Sequence, residues 1–203
     1  MISENEHKFE SEPQITTELA TNEDVAEILR LQAENIESQV AQNEKTSQGY
    51  VSLETPQELL EEIAKDEGII IAKAGDKIVG YLIPMTHNRA KTVPFFAPMV
   101  EQFKNLQLEG QPLDNYKLCV LAQICIDKSH RGGEALTRIH AATNDHLKDK
   151  YEIGIAEISD DNRRSLKANV EKVGMTDVGQ YDSYDKTWHV VVSDFRKLRE
   201  AEE

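Results

Sequence analysis

The segment that most limits how this chain can fold is an apolar run over residues 118–126, which leads directly into a turn and a helical pattern. A short apolar run bounded by turn signals predicts a buried strand, and a strand that feeds a helix predicts an α/β chain. The turn covers residues 127–131, and paired glycines follow it. We expect a helix over about 133–150, whose apolar positions are Leu136, Ile139, Thr143 and Leu147.

The remaining hydrophobic patterns complete the predicted element order. Strands are expected at 14–20, 69–74, 77–85, 153–159, 175–184 and 187–193, and helices after Thr21, after Thr55 and over 162–173. Gly75 and Asp76 join two of the strands as a hairpin. The order β-α-α-β-β-β-α-β-α-β-β predicts an α/β (α+β) fold with a mixed sheet.

Two helix starts carry capping signals. Thr21 is followed three residues later by Asp24, which suits a capping box. Thr55 is expected to cap the second helix, with Pro56 in its first turn and Glu58 at the box position.

A polar-aromatic insertion over about 86–117 separates the hairpin from the central strand. It contains Phe95, Phe96 and Phe103, and it predicts a short helix over 99–106. Insertions of this length are often lids or binding loops. The alternative, which the sequence leaves open, is a surface excursion that buries its own apolar cluster.

Composition narrows the class of protein. The chain has 203 residues and a formal net charge of −14, which argues against nucleic acid as a partner because phosphate binding needs clustered cations. We expect a flexible N-terminal arm over 1–12 and a single domain over 13–198. No signal peptide is visible and no apolar run approaches a membrane span, so a cytoplasmic protein without a membrane partner is expected.

The two cysteines, Cys119 and Cys125, both lie in the central strand. With regular alternation they would face the same side, roughly 20 Å apart at about 3.3 Å per residue. A disulfide cannot span that distance, and no Cys/His cluster accompanies them for a metal. They are expected to be small core residues.

The glycine turn before the central helix carries the strongest chemical signal. A helix N-terminus presents unpaired N–H groups and the positive end of the helix dipole, and glycines let a ligand approach the backbone closely. The turn therefore suits a pyrophosphate. It is neither a dinucleotide fingerprint nor a P-loop, so on its own an ordinary strand-to-helix turn explains it equally well.

A family resemblance strengthens this interpretation. The segment Ile126-Asp-Lys-Ser-His-Arg-Gly-Gly-Glu-Ala-Leu136 resembles the acetyl-CoA loop of GNAT N-acetyltransferases, and Asn162-Arg-Arg-Ser165 with Lys172-Val-Gly-Met175 resembles a second motif of that family. Both motifs occur in the family's order, and the resemblance covers most of the chain. It implies a mostly antiparallel central sheet with about four helices, and acetyl-CoA as the cofactor.

The resemblance also implies cofactor-binding residues. The backbone of Ile124, Cys125 and Ile126 would bind the pantetheine arm, and the amides of Arg131, Gly132, Gly133, Glu134, Ala135 and Leu136 would hold the pyrophosphate. Asn162 and Ser165 would lie near the arm. The motif can begin at His130 or at Arg131, and in the second register Glu134 occupies a position where glycine is usual.

The catalytic groups depart from the family pattern. The tyrosine that commonly protonates the leaving thiolate is replaced by Val170, and the helix carrying it is one residue longer than usual. Tyr181 and Tyr184 could take over the role of this missing general acid. The alternative is that both are ordinary half-buried tyrosines of a strand. Glu157 is the expected general base, partly buried with a raised pKa. A chain of water molecules is the alternative to Glu157 as the base. His87 and His140 are weaker candidates for the same role.

Taken together, the residues and the resemblance predict an N-acetyltransferase that moves an acetyl group from acetyl-CoA to a primary amine of a small molecule or protein. The alternative is a catalytically weak or inactive GNAT-like protein that binds acyl-CoA or a partner. The acceptor pocket is expected at 31–50 and 86–117. Pairing of C-terminal strands would be a route to a homodimer.

Overall fold

A computed structural model describes residues 14–41 and 49–200, so the predicted arm at 1–12 lies outside the described residues. The strands are β1 Ile15–Leu19, β2 Ile70–Ala74, β3 Lys77–Thr86, β4 Gln107–Leu108, β5 Gln111–Pro112, β6 Leu118–Ile126, β7 Ile153–Ser159, β8 Thr176–Ser183 and β9 Lys186–Asp194. The helices are α1 Val25–Asn35, α2 Gln57–Asp66, α3 His87–Thr92, α4 Ala97–Gln102, α5 Ala135–Leu147, α6 Arg163–Lys167 and α7 Phe195–Glu200. Within these ranges, no helix combines the length and apolarity needed to cross a bilayer.

Seven strands form one sheet in the order β1-β2-β3-β6-β7-β9-β8. Every neighbouring pair is antiparallel except β6 and β7, which run parallel and are joined through α5. The prediction of a mixed, mostly antiparallel sheet is confirmed. The predicted hairpin is confirmed as well, since Ala74 pairs with Lys77 and Gly75 adopts a φ of +61°.

Helices cover both faces of the sheet and bury one core on each side. The first core lies under α1, α2 and the insertion, and Ile28, Leu60 and Tyr81 are fully buried there. The second lies under α5, α6 and α7, where Ile139 and Phe195 are fully buried. The helices predicted after Thr21, after Thr55, over about 133–150 and over 162–173 are present, and α3 and α7 are short helices that were not predicted.

The insertion packs onto the first core instead of standing off the domain. The helix predicted at 99–106 lies at Ala97–Gln102. Phe96 and Phe103 are buried in this core, whereas Phe95 is partly exposed. The insertion therefore buries most of its apolar residues in this core, and part of the Phe95 ring stays accessible.

A β-bulge in β6 overturns the expected arrangement of the cysteines. Ile83 of β3 pairs with Gln123 but Pro84 pairs with Leu121, which leaves Ala122 as an extra residue. A bulge shifts the alternation of side chains by one position. Cys119 therefore packs in the second core and Cys125 in the first, so the two thiols lie on opposite faces.

Gly80 of β3 occupies a site where the chain tolerates no side chain. A Cβ atom there would lie 2.7 Å from Ile126 Cδ1, 2.9 Å from Ile139 Cδ1 and 3.0 Å from the Cys125 carbonyl oxygen. The carbonyl cannot move without distorting β6. We expect Gly80→Ala to lower the free energy of unfolding by about 1 to 3 kcal/mol because the core becomes overpacked.

Urea unfolding followed by circular dichroism measures this loss. Gly133→Ala is the matched control, because a Cβ at Gly133 meets only the His130 carbonyl oxygen at 3.5 Å, an ordinary contact. Equal stability of Gly80→Ala and Gly133→Ala would contradict the packing described for β3, β6 and α5.

Candidate functional site

The two parallel strands at the centre of the sheet separate from each other. They pair only at Leu118 with Ile153, Cys119 with Gly154 and Val120 with Ile155. Beyond these positions β6 stays with β3 and β7 stays with β9 along their full lengths. The described sheet therefore opens between residues 121–126 and 156–159, and the facing edge of β6 is left for another partner.

The segment 49–55 lies across this opening. On the β6 side, Gln123 Nε2 donates to the Leu53 carbonyl oxygen at 2.8 Å and Thr55 Oγ1 donates to Gln123 Oε1 at 3.3 Å. On the β7 side, Asn162 Nδ2 donates to the Tyr50 carbonyl oxygen at 2.9 Å. The prediction that Thr55 caps α2 is wrong: Pro56 is the N-cap, and the Thr55 hydroxyl binds Gln123.

Two connected clefts fill the space between the strands and this segment. The outer cleft runs past Ile124, Arg131 and Leu136, and about 100 Å³ of it is open to a water-sized molecule. The inner cleft runs past Gln123 and Glu157, and the corresponding volume is about 70 Å³. Both clefts are narrow. The clefts are continuous, because both are lined by Tyr50, Val51, Ile124, Ser165 and Asn169.

The outer cleft ends at the N-terminus of α5. Gly132 reaches it with a φ of +87°, a conformation that favours glycine. The side chain of the N-cap residue, Glu134, makes no capping hydrogen bond to the backbone of α5. Within the described residues, the N–H groups of Ala135, Leu136 and Thr137 donate to no acceptor, so they are free to bind an anion.

Cationic side chains surround this helix end. Arg131 and Arg164 both line the outer cleft, and Lys172 Nζ donates to the Gly132 carbonyl oxygen at 3.5 Å. Burial lowers the pKa of Arg131, and the nearby charge of Arg164 lowers it further. Glu134 is turned away along the helix, where its carboxylate pairs with Arg138 at 3.0 Å. The local charge is therefore positive on a strongly acidic chain.

Arg131 has a structural role in the outer cleft in addition to the positive charge that it contributes. Its guanidinium donates to the Ile126 carbonyl oxygen at 2.9 Å and to Asn35 Oδ1 at 2.5 Å. These bonds tie the end of β6 to the end of α1. The side chain thus fixes the strand edge beside the helix N-terminus.

Asn162 faces the inner cleft with an acceptor to spare. Its Nδ2 group is bonded to Tyr50, but its buried Oδ1 has no partner among the described residues. Asn162 is the N-cap residue of α6, but its side chain makes no capping hydrogen bond. An orphaned, buried amide oxygen is costly unless a donor arrives, which suits a ligand N–H group.

Glu157 lies in the inner cleft with its carboxylate held by a tyrosine. The Tyr181 hydroxyl donates to Glu157 Oε2. Burial raises the pKa of Glu157 to about 7, and the hydrogen bond from Tyr181 opposes that rise. The pKa of Tyr181 lies well above its ordinary value because of burial and the adjacent carboxylate. A carboxylate with such a pKa can accept a proton near neutral pH.

Solved acetyltransferase structures share this architecture. One is a GNAT-family acetyltransferase from Bacillus cereus, at 10% identity and a TM-score of 0.55, with 89% of this chain and 97% of that chain covered. A second is the ribosomal-protein-S18-alanine N-acetyltransferase from Escherichia coli, at 9% identity and a TM-score of 0.57, with 90% of this chain and 94% of that chain covered. A third is described as an acetyltransferase from Salmonella typhimurium and was solved with its cofactor acetyl-CoA. Its identity is 10% and its TM-score is 0.58, with 89% of this chain and 94% of that chain covered.

The chain has the GNAT fold. The likeness at these identities concerns the fold alone. Neither a family model nor a curated protein matches the sequence. The prediction of a GNAT-like sheet is confirmed.

Most of the predicted cofactor residues line the outer cleft of this GNAT fold. They are Ile124, Cys125, Ile126, His130, Arg131, Gly132, Leu136 and Ser165. Asn162 lines the inner cleft. Gly133, Glu134 and Ala135 are not wall residues, and they form the first turn that presents backbone N–H groups. His87, a weaker candidate, lies outside both clefts at the start of α3.

The end of α6 continues as a π-helix over Ala168–Val173, and this explains the missing tyrosine position. A π-helix accommodates one additional residue per turn, as the longer segment required. Val170 is partly buried and packs against the second core, whereas the preceding Asn169 lines both clefts. In this GNAT fold, the side chain that faces the cleft is therefore an amide.

His140 lies next to this amide at the inner end of the cleft. It is 3% exposed, and among the described residues neither ring nitrogen makes a hydrogen bond of good geometry, although the Asn169 side chain lies close by. Burial lowers its pKa to about 4, while Asn169 opposes that shift. The imidazole is therefore neutral at pH 7. The sequence ranked His140 low because it lies in the body of a helix, and it gave no role to Asn169, the neighbour of Val170.

The buried neutral His140 predicts a pH-dependent stability. Its pKa falls from 6.5 to about 4 on folding, so the unfolded chain binds the extra proton between these values and stability is lost as the pH falls through that window. We expect His140→Gln to remove roughly 3 kcal/mol of this loss between pH 7 and pH 4, at 1.36 kcal/mol per pKa unit.

Urea unfolding of both proteins at several pH values isolates the contribution of His140, because Glu157 and the other groups are common to both. The raised pKa of Glu157 acts in the opposite direction, which is why the difference between the proteins is the informative quantity. A difference that stays constant from pH 7 to pH 4 would contradict a buried, neutral His140.

Proposed function

We propose that this protein is an N-acetyltransferase that moves an acetyl group from acetyl-CoA to a primary amine by direct attack. The observation that carries the proposal is the opening between β6 and β7. One end of this opening lies at the N-terminus of α5, which has no side-chain cap and has cationic side chains around it, and the other end lies at the buried carboxylate of Glu157. One end suits phosphates and the other suits an amine. The two ends lie in connected clefts, as direct transfer between bound reactants requires.

The residues present fit acetyl-CoA. The free N–H groups of Ala135 and Leu136, with Arg164 nearby, would hold the pyrophosphate. The unpaired edge of β6 and the orphaned Oδ1 of Asn162 would bind the amide groups of the pantetheine arm. When bound, acetyl-CoA supplies the thioester whose carbonyl the amine attacks and whose thiolate leaves.

Glu157 would remove the proton from the attacking amine. Its carboxylate is ionised above a pKa of about 7, so it is competent as a base at neutral pH and above. The Tyr181 hydroxyl fixes its orientation. Gln123, on the facing strand, is occupied by Leu53 and Thr55 and has no basic group to offer.

Asn169 and His140 would face the leaving thiolate at the inner end of the cleft. Asn169 Nδ2 already donates to Ser165, at 2.9 Å to the carbonyl oxygen, so the imidazole is the group with unused capacity. Its neutral N–H can donate a hydrogen bond to the thiolate. Coenzyme A thiolate is a fairly good leaving group, and solvent can supply its proton.

Thiol release tests the proposal. The protein is incubated with acetyl-CoA and a panel of primary amines that includes small amines and an alanine-initiated peptide, and free CoA is measured. We expect amine-dependent release. Binding of acetyl-CoA without release across the panel would favour the non-catalytic alternative, for which the packing of Val170 against the core is the supporting observation.

A further inference from the structure

We propose that the acceptor is a primary monoamine with a compact apolar body and no carboxylate. This inference rests on the proposed function and names the substrate class of the same site. It comes from the charge, the aromatic walls and the rim of the inner cleft.

The charge of the inner cleft selects against a carboxylate. Among its described wall residues, Glu157 is the sole acidic side chain, and neither lysine nor arginine contributes to the wall. At the rim, Lys186 Nζ lies 5.4 Å from the centroid of the Tyr50 ring and donates to both carboxylate oxygens of Glu37, at 2.6 and 2.7 Å. A single carboxylate attracts one ammonium group, and it repels a substrate that carries its own carboxylate.

Aromatic and aliphatic groups form the rest of this cleft. Phe95 and Trp188 meet edge to face, with ring centroids 5.6 Å apart. The Trp188 indole is fixed because its Nε1 donates to the Ser183 carbonyl oxygen at 2.9 Å. Leu53 and Ile158 add aliphatic surface. Such walls favour an apolar substrate body and, through the ring faces, an ammonium group.

The rim limits the size of the acceptor. The tip of the β8–β9 hairpin is held on one side by the Lys186–Glu37 ion pair. On the other side Tyr184 stacks on Phe95 at 5.8 Å, and its hydroxyl donates to the Pro94 carbonyl oxygen at 3.1 Å. The hairpin therefore joins the short turn after α1 to the insertion across the cleft, which favours a compact amine over a peptide chain.

The single tryptophan of the chain, Trp188, reports binding without turnover. Fluorescence titration compares 2-phenylethylamine with L-phenylalanine, which differ only by a carboxylate. We expect saturable quenching by the amine and at least 30-fold weaker binding of the amino acid. Equal binding of the two, or binding of phenylalanine alone, would overturn the inference.

Turnover gives a second measurement. With acetyl-CoA present, we expect kcat/KM for 2-phenylethylamine and hexylamine to exceed that for phenylalanine, spermidine and an alanine-initiated peptide by at least 30-fold. Phe95→Ala should raise KM for 2-phenylethylamine about 10-fold, whereas Val100→Ala, a truncation in the same insertion away from the cleft, should not. Preference for the peptide would overturn the inference and leave the proposed function standing.

A failure of the proposed function looks different. If the protein does not bind acetyl-CoA, the proposed function fails, while the amine selectivity of the Trp188 fluorescence still decides whether the inner cleft recognises a monoamine.

Discussion

Replacing Glu157 by glutamine should lower kcat/KM for the amine by about 10² to 10⁴-fold, the usual contribution of a positioned general base. The rate of the wild-type protein should rise with pH through an apparent pKa near 7, because burial raises the pKa of this carboxyl to about 7. Glu157→Gln should lose this limb. Steady-state kinetics from pH 5.5 to pH 9 measures both effects.

Two variants make the Glu157 result specific. Tyr181→Phe removes the hydrogen bond that lowers the pKa of Glu157, so the limb should move to higher pH while the activity above it is retained. Glu171→Gln is the control, since this exposed carboxylate lies outside both clefts. Retention of the limb in Glu157→Gln would mean that another group removes the proton.

Gly133→Glu should weaken binding of acetyl-CoA at least 100-fold, about 2.8 kcal/mol at 1.4 kcal/mol per tenfold. The new carboxylate would lie beside the free N–H groups at the first turn of α5 and compete with the phosphates. Calorimetric titration measures the affinity. The same measurement on Gly133→Ala should show a change below about threefold, since the added Cβ meets only the His130 carbonyl oxygen at 3.5 Å. Unchanged affinity in Gly133→Glu would place the anion site elsewhere.

The parts of the fold that the sequence predicted are those with local signals. The apolar run 118–126, the glycine turn and the helical spacing after it identified β6, α5 and the helix N-terminus between them. The Thr21–Asp24 capping box is also present as predicted. Each depends on residues close in sequence, for which periodicity and capping are reliable guides.

The features that shape the site depend on distant contacts. The bulge at Ala122 arises from pairing with Pro84, and no pattern within β6 marks it. Thr55 has the spacing of a helix cap, yet its hydroxyl binds Gln123, 68 residues away. The opening between β6 and β7 and the segment across it are tertiary features in the same sense.

The helix after Asn162 could be predicted from its motif only in part. Its additional residue was visible in the sequence, but the consequence was not. The π-helix over Ala168–Val173 absorbs that residue and turns Asn169, not Val170, toward the clefts. His140 gained significance only when the structure showed that both ring nitrogens are buried without a hydrogen bond of good geometry among the described residues.

The central claim is that acetyl-CoA binds along the open edge of β6 with its phosphates at the N-terminus of α5. Amide chemical shifts of the ¹⁵N-labelled protein during titration with acetyl-CoA test it most directly. The claim predicts that the largest shifts fall on residues 132–137 and 124–126. Absence of shifts at millimolar acetyl-CoA, or shifts confined to residues outside the two clefts, would contradict it.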